Sequence, residues 1–222
     1  MALSKLTYNS LNVTPTASKG IGFGSGADDL SADFSGGSIT FIKKLAASSD
    51  STLSLVDGAS SVVLDNTYKE YLFTFKNIHP SADDGSFQFN LSADSGSNYN
   101  VTKTTTIFRT IQYENDGGSG IEYLTGSDIA SGTGVQILTN NDQLLGYDND
   151  QSLSGSLHLF NPSSTTFVKH FMARTNYSNA DDSCSSAFVA GYANTTSAVD
   201  AIQFSMSSGN IDTGDICLYG IN

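Results

Sequence analysis

Short runs in which every second residue is apolar recur from Ser38 to the last residues of the chain. In the clearest of them Tyr71, Phe73 and Phe75 fall on one side, while Leu72, Thr74 and Lys76 fall on the other. Successive side chains of a β-strand point to opposite faces, so this period demands strands with one buried face and cannot serve a helix. Phe87, Phe89 and Leu91 repeat the pattern against Ser86, Gln88 and Asn90, and Leu153, Leu157 and Leu159 alternate with Ser and His. Further strands are expected over 39–45, 52–56, 61–64, 98–113 (one bent strand or two), 166–174, 187–193, 202–206 and 216–221.

The intervening segments carry turn chemistry. Asp57-Gly58, Asp84-Gly85, Asp94-Ser95-Gly96, Asp116-Gly117-Gly118, Ser208-Gly209-Asn210 and Thr213-Gly214-Asp215 each combine a residue that bonds its own backbone with a permissive glycine. The best helix candidate, 123–129, is short and contains Gly126, so at most a turn or two of helix is expected there. Closely spaced strands without a helical period or a fixed repeat define an all-β protein, a jelly-roll-like β-sandwich. Before Ser38 the signal is different. Lys19 to Gly26 reads Lys-Gly-Ile-Gly-Phe-Gly-Ser-Gly, with too little side chain to build a core. Residues 1–37 are therefore expected to form an extended N-terminal attachment arm that orders on a neighbour, and residues 38–222 the sandwich.

Charge narrows the partners. The 222 residues hold 22 acidic and 10 basic side chains, a net charge of −12, and arginine occurs only as Arg109 and Arg174. Nucleic-acid binding requires a basic footprint and a membrane-surface anchor requires a basic cluster; neither is present. No apolar stretch approaches the ~20 residues of a membrane helix. Residues 1–13 alternate polar and apolar types, so no secretory signal is expected. Two cysteines, Cys184 in a polar, loop-like run and Cys217 in the last apolar strand, do not make a disulfide framework, and a mutual bridge is not favoured.

The search for chemistry finds no catalytic spacing. Gly-x-Ser-x-Gly, His-Glu-x-x-His and phosphate-loop motifs are missing, and the glycines at 20, 22, 24 and 26 miss the dinucleotide pattern. Glu occurs only at Glu70, Glu114 and Glu122, and nothing marks a pair of carboxylates for glycoside cleavage. His158 and His170 lie in strand runs and His79 at a strand end; without an orienting partner a strand histidine is a packing or interface residue. His158 and His170 pairing across strands to hold a metal on a trimer axis is the sharper alternative, but it wants further ligands. Asp148-Asn149-Asp150 resembles the start of a calcium loop, yet Leu153 and Leu159 stand where Gly and Glu would be needed. No catalytic, cofactor-binding or metal residue is therefore assigned. The polar faces remain: Asn100, Thr102, Thr104 and Thr106 along one strand, and the Thr165-Thr166 and Thr195-Thr196 patches, which either bind glycans or solvate a sheet.

Several stretches carry a resemblance. The opening Met1-Ala2-Leu3-Ser4-Lys5-Leu6-Thr7-Tyr8-Asn9-Ser10-Leu11-Asn12-Val13-Thr14-Pro15, the run Leu159-Phe160-Asn161-Pro162-Ser163-Ser164-Thr165-Thr166 with Val168-Lys169-His170-Phe171, Asn194-Thr195-Thr196-Ser197-Ala198, and the closing Gly209-Asn210-Ile211 and Leu218-Tyr219-Gly220-Ile221 resemble virion structural proteins of marine tailed phages, those of cyanobacteria in particular. The likeness spans essentially the whole chain, and its motifs are structural. It implies a non-catalytic protein of the virion surface, a tail fibre or spike module or a capsid decoration protein, assembled in the host bacterial cytoplasm. Its N-terminal part would dock on capsid or tail proteins and its sandwich would face outward, usually as a homotrimer; symmetric association also protects edge strands. The different-class alternative is a carbohydrate-binding, lectin-like module for host-surface glycans, and less readily a glycan-degrading enzyme.

Overall fold

The computed structural model describes residues 38–83, 85–141 and 145–222, together with two short strands before them. It divides into two units, Met1–Ser38 and Ile39–Asn222. In the first, β1 (Gly22–Phe23) and β2 (Leu30–Ser31) pair antiparallel. The expected arm over 1–37 otherwise lies outside the described residues, as does Asp84 of the expected Asp84-Gly85 turn.

The second unit is all-β. Its larger sheet contains eight strands: β3 (Ile39–Ala46), β5 (Glu70–Pro80), β7 (Lys103–Tyr113), β8 (Ser119–Tyr123), β10 (Leu153–Phe160), β11 (Lys169–Asn179), β12 (Ser183–Ala193) and β14 (Ile211–Ile221). They run in the order β3-β14-β5-β10-β11-β12-β7-β8. Four strands, β4 (Thr52–Val56), β6 (Phe87–Ser92), β9 (Gln136–Ile137) and β13 (Ala201–Met206), form the second sheet in the order β4-β13-β6-β9. All pairings are antiparallel. The β-sandwich expected from the alternation is present.

The core lies between the sheets, and the alternating residues build it. Tyr71, Phe73 and Phe75 of β5, Leu157 and Leu159 of β10 and Phe171 of β11 face Leu53, Leu55, Phe87, Phe89, Ile202 and Phe204 of the smaller sheet, all buried. Phe204 is the hub, its ring centroid 5.8 Å from Phe73, 5.3 Å from Phe75 and 5.8 Å from Phe87. Phe89 meets Phe171 edge-on at 5.2 Å, again across the sheets. Aromatic pairs in these geometries add to the area they bury. At Gly191 a Cβ would lie 2.9 Å from Phe171 Cζ and 2.7 Å from Thr104 O, so β12 needs glycine there to let the ring sit.

Several expectations change. No helix occurs among the described residues: Tyr123 ends β8, and 124–127 is a turn closed by the Ser127 amide donating to Leu124 O. Only Leu124 and Ser127 of that turn are buried, so no apolar stripe exists for a helix to bury. Residues 61–64 are not a strand. Val62 and Leu64 are buried, but their backbone is spent locally, Gly58 N donating to Val62 O and Leu64 N to Asp57 Oδ1. Asn98 to Thr102 precede the single strand β7, so Asn100 and Thr102 do not share its face with Thr104 and Thr106. Cys184 lies in β12 rather than a loop, paired with Ser178 and Gln112. Cys184 is exposed and Cys217 buried, and both are free.

Candidate functional site

The two faces of the sandwich differ in kind. The smaller sheet's outer face is polar and self-satisfied, Gln203 Nε2 donating to Ser54 Oγ and Gln88 Nε2 to Ser205 Oγ. On the larger sheet the outer residues of β10, β11, β12 and β7 form rows fixed by strand register. Ser156, Arg174, Phe188, Phe108 and Tyr123 (the last on β8) lie side by side in the first row. The next row reads His158, Met172, Ala190 and Thr106, and a third carries His170, Tyr192 and Thr104.

In the first row the Phe108 and Phe188 rings stack with centroids 4.9 Å apart and planes 6° from parallel. The Arg174 guanidinium carbon sits 4.9 Å from the Phe188 centroid, within cation–π range. In the third row His170 and Tyr192 lie 6.0 Å apart. Between these walls Ala190 and Thr106 are short, and two adjoining hollows open, of about 330 Å³ and 410 Å³. Both touch Met172, Ala190 and Thr106, and the hollow lining is mainly apolar. Phe108 is 42% exposed, Met172 55% and Tyr123 52%. Exposed apolar residues gathered on one face in this way are the raw material of a contact surface.

Charge on this face departs from the rest of the chain. Strands β7, β10, β11 and β12 contain no Asp or Glu, in a protein with 22. The outward cation is Arg174, and among the described residues no carboxylate pairs with it. The other arginine, Arg109, points into the sandwich and is ion-paired to Glu122 of β8.

Of the residues singled out in the sequence, His158 and His170 do share this face on neighbouring strands, but they do not meet. His158 Nδ1 lies 2.5 Å from Glu70 Oε1, and His170 packs on Tyr192. No group of three or more His, Cys, Asp or Glu side chains suited to a metal occurs among the described residues. His79 Nε2 lies 3.2 Å from the backbone oxygen of Asp148, a neighbourhood the sequence does not suggest. The turn at Asp148–Asp150 is closed by Gln151 N donating to Asp148 O at 2.8 Å, with no third carboxylate beside it among the described residues.

The threonine patches converge at one end of the sandwich through a buried lysine. Lys169 Nζ donates to Phe167 O at 3.1 Å and Thr195 O at 3.0 Å, holding both loops. Lys103 does the same between the sheets, donating to Asn90 Oδ1 at 2.5 Å and Val101 O at 2.8 Å. Burial lowers the pKa of both, Lys103 to about 8. Burial also raises the Tyr177 phenol to about 12. These groups are buried, and the hydrogen bonds of the two lysines tie neighbouring segments of the fold together.

The sequence search missed the line Arg174–Phe188–Phe108. The available signal was Phe108 itself, an aromatic standing where Thr104 and Thr106 lead one to expect another small polar residue. No family model, curated protein or solved structure matches this chain.

Proposed function

We propose that this chain is a non-catalytic structural protein of the surface of a tailed-phage virion, with residues 1–37 docking on the particle and the sandwich facing outward. The observation that carries the reading is the outer face of the larger sheet, where exposed aromatic, aliphatic and hydroxyl side chains from four neighbouring strands form one shallow, mainly apolar surface suited to contact with a partner. The resemblance of the opening, central and closing stretches to phage virion proteins supplies the setting. Self-association, of which the homotrimer is the proposed form, is supported by the two edges of the larger sheet. Ile39 and Phe41 are each 56% exposed on β3, and Ile121 is 76% exposed on β8. Exposed apolar edge strands invite pairing, and a β3-to-β8 contact between copies would be heterologous and could close a ring.

Absolute quantification of this chain in purified particles of the phage that encodes it tests the reading. Hundreds of copies identify a capsid decoration protein and a handful a fibre or spike; absence from the particle refutes the virion assignment. The second reading, a free carbohydrate-binding module, is favoured by the hollow over Ala190 and Thr106, and it would survive that result.

A further inference from the structure

We propose that the hollow between the Arg174–Phe188–Phe108 row and Tyr192 binds an acidic saccharide whose carboxylate is engaged by Arg174. This rests on the reading that the outer face of the larger sheet makes contact with a partner, and it names the partner's chemistry.

Charge is the first argument. A chain of net charge −12 repels anions in general, and any anion-binding surface on it must be cleared of carboxylates locally. Four adjacent strands are cleared in this way, and their outer face keeps Arg174 together with His158 and His170. Among the described residues, carboxylates flank the patch only at its ends, and both are engaged: Glu70 on β5 pairs with His158, and Asp128 accepts from the Tyr123 hydroxyl.

Geometry is the second. Arg174 has no carboxylate partner among the described residues although acids abound, and its guanidinium carbon lies 4.9 Å from the Phe188 ring centroid. A guanidinium with no carboxylate partner keeps the planar N–H fork that receives a carboxylate through two parallel hydrogen bonds.

Shape and lining argue for a sugar. Each hollow falls at the lower end of the ~300–1,000 Å³ typical of small-ligand sites, which are largely apolar with a few polar groups that set orientation. Here Met172 and the aromatic walls suit the C–H faces of a pyranose, and Ser156, Thr106 and His158 supply hydroxyl and imidazole partners at its rim. An extended peptide is less well served. The hollow lies over the middle of the sheet, where the backbone groups of β11 and β12 are already paired on both sides, so no strand can be added.

The test uses the full chain, titrated by NMR with oligogalacturonate, with its methyl ester as the uncharged counterpart, and with sialyllactose as a second carboxylate source. At least one of the two acids should bind, with an affinity that falls as salt is added. For oligogalacturonate, the ester should bind about tenfold or more weaker. Arg174→Met should weaken the acid about tenfold while leaving the far-ultraviolet spectrum unchanged, and Ala190→Trp, which fills the floor, should abolish binding. Failure of both acids at about millimolar concentration overturns the proposal, because weaker binding is no longer specific recognition. Equal binding of acid and ester, or an Arg174→Met protein that binds as well as the parent, also overturns it. Light scattering of the same samples assigns the face to a second copy if Ala190→Trp dissociates an oligomer and no acid binds. Particle content does not depend on Arg174, so failure here leaves the virion reading standing, and failure there leaves this one.

Discussion

Lys103 makes a measurable demand on the pH dependence of stability. Its side chain is fully buried, has no carboxylate partner, and satisfies its ammonium on Asn90 Oδ1 and Val101 O. Burial lowers its pKa from 10.5 to about 8. The charged form is therefore roughly 3 kcal/mol less favourable in the fold than in the unfolded chain, at about 1.4 kcal/mol per unit. Below pH 8 both states are protonated and the penalty is constant. As pH rises from 8 towards 10.5 the folded lysine releases its proton while the unfolded one keeps it, so stability increases. Integration to about pH 9.5 gives a gain of roughly 2 kcal/mol. The window must close there, because Tyr177, raised to about 12, acts in the opposite sense once unfolded tyrosines ionise near 10. With no tryptophan in the chain, urea unfolding is followed by far-ultraviolet ellipticity. The parent should gain roughly 2 kcal/mol between about pH 7 and 9.5. Lys103→Met, which keeps the apolar stem, should lose most of that slope; Lys169, lowered in the same direction, leaves a residual one. Asn90 Oδ1 still accepts from Leu91 N in the variant, so the fold has reason to survive. A parent profile that is flat over this range, or a variant with the parent's slope, would refute the assignment of a buried, uncompensated charge.

Three further outcomes follow from the packing. Phe204→Ala removes the ring that joins Phe73, Phe75 and Phe87 and should cost about 3–5 kcal/mol in the same urea assay; a loss below about 1 kcal/mol would mean the sheets do not pack through it. Gly191→Ala should destabilise by about 1–3 kcal/mol through overpacking, since its Cβ meets Thr104 O and Phe171 together, and pairing it with Phe171→Leu should recover part of that loss. If copies associate through the two edges of the larger sheet as proposed, Phe41→Lys or Ile121→Lys, each at one edge, should lower the mass in light scattering to that of a monomer without changing the far-ultraviolet spectrum; an oligomer of unaltered mass would refute the edge-to-edge contact.

How far the sequence reaches depends on which physical quantity a feature expresses. Alternation expresses which face takes the apolar side chains, and it located β5, β6 and β10 because each sends its alternate apolar residues into the core. It misplaced 61–64 because Val62 and Leu64 are buried as loop anchors, and burial alone does not require ladder pairing. The short helix candidate at 123–129 is not realised because Tyr123 and Leu124 serve different faces. In the fold one ends β8 on the outer face and the other folds inward. The contact surface was legible least of all. Arg174, Phe188 and Phe108 are far apart in sequence and become neighbours only because Arg174 pairs with Phe188 and Phe188 with Phe108. A slip of one residue in either pairing would turn a whole strand's outer set inward, so the face exists only as a consequence of register. The buried side favours that register: Phe171 of β11 lies over Gly191 of β12, where no larger residue would fit, and packs edge-on against Phe89 of the smaller sheet. The outward row is thus specified by residues that never touch it. Core substitutions that shift β11 or β12 should therefore disable the hollow as surely as changing Arg174 itself.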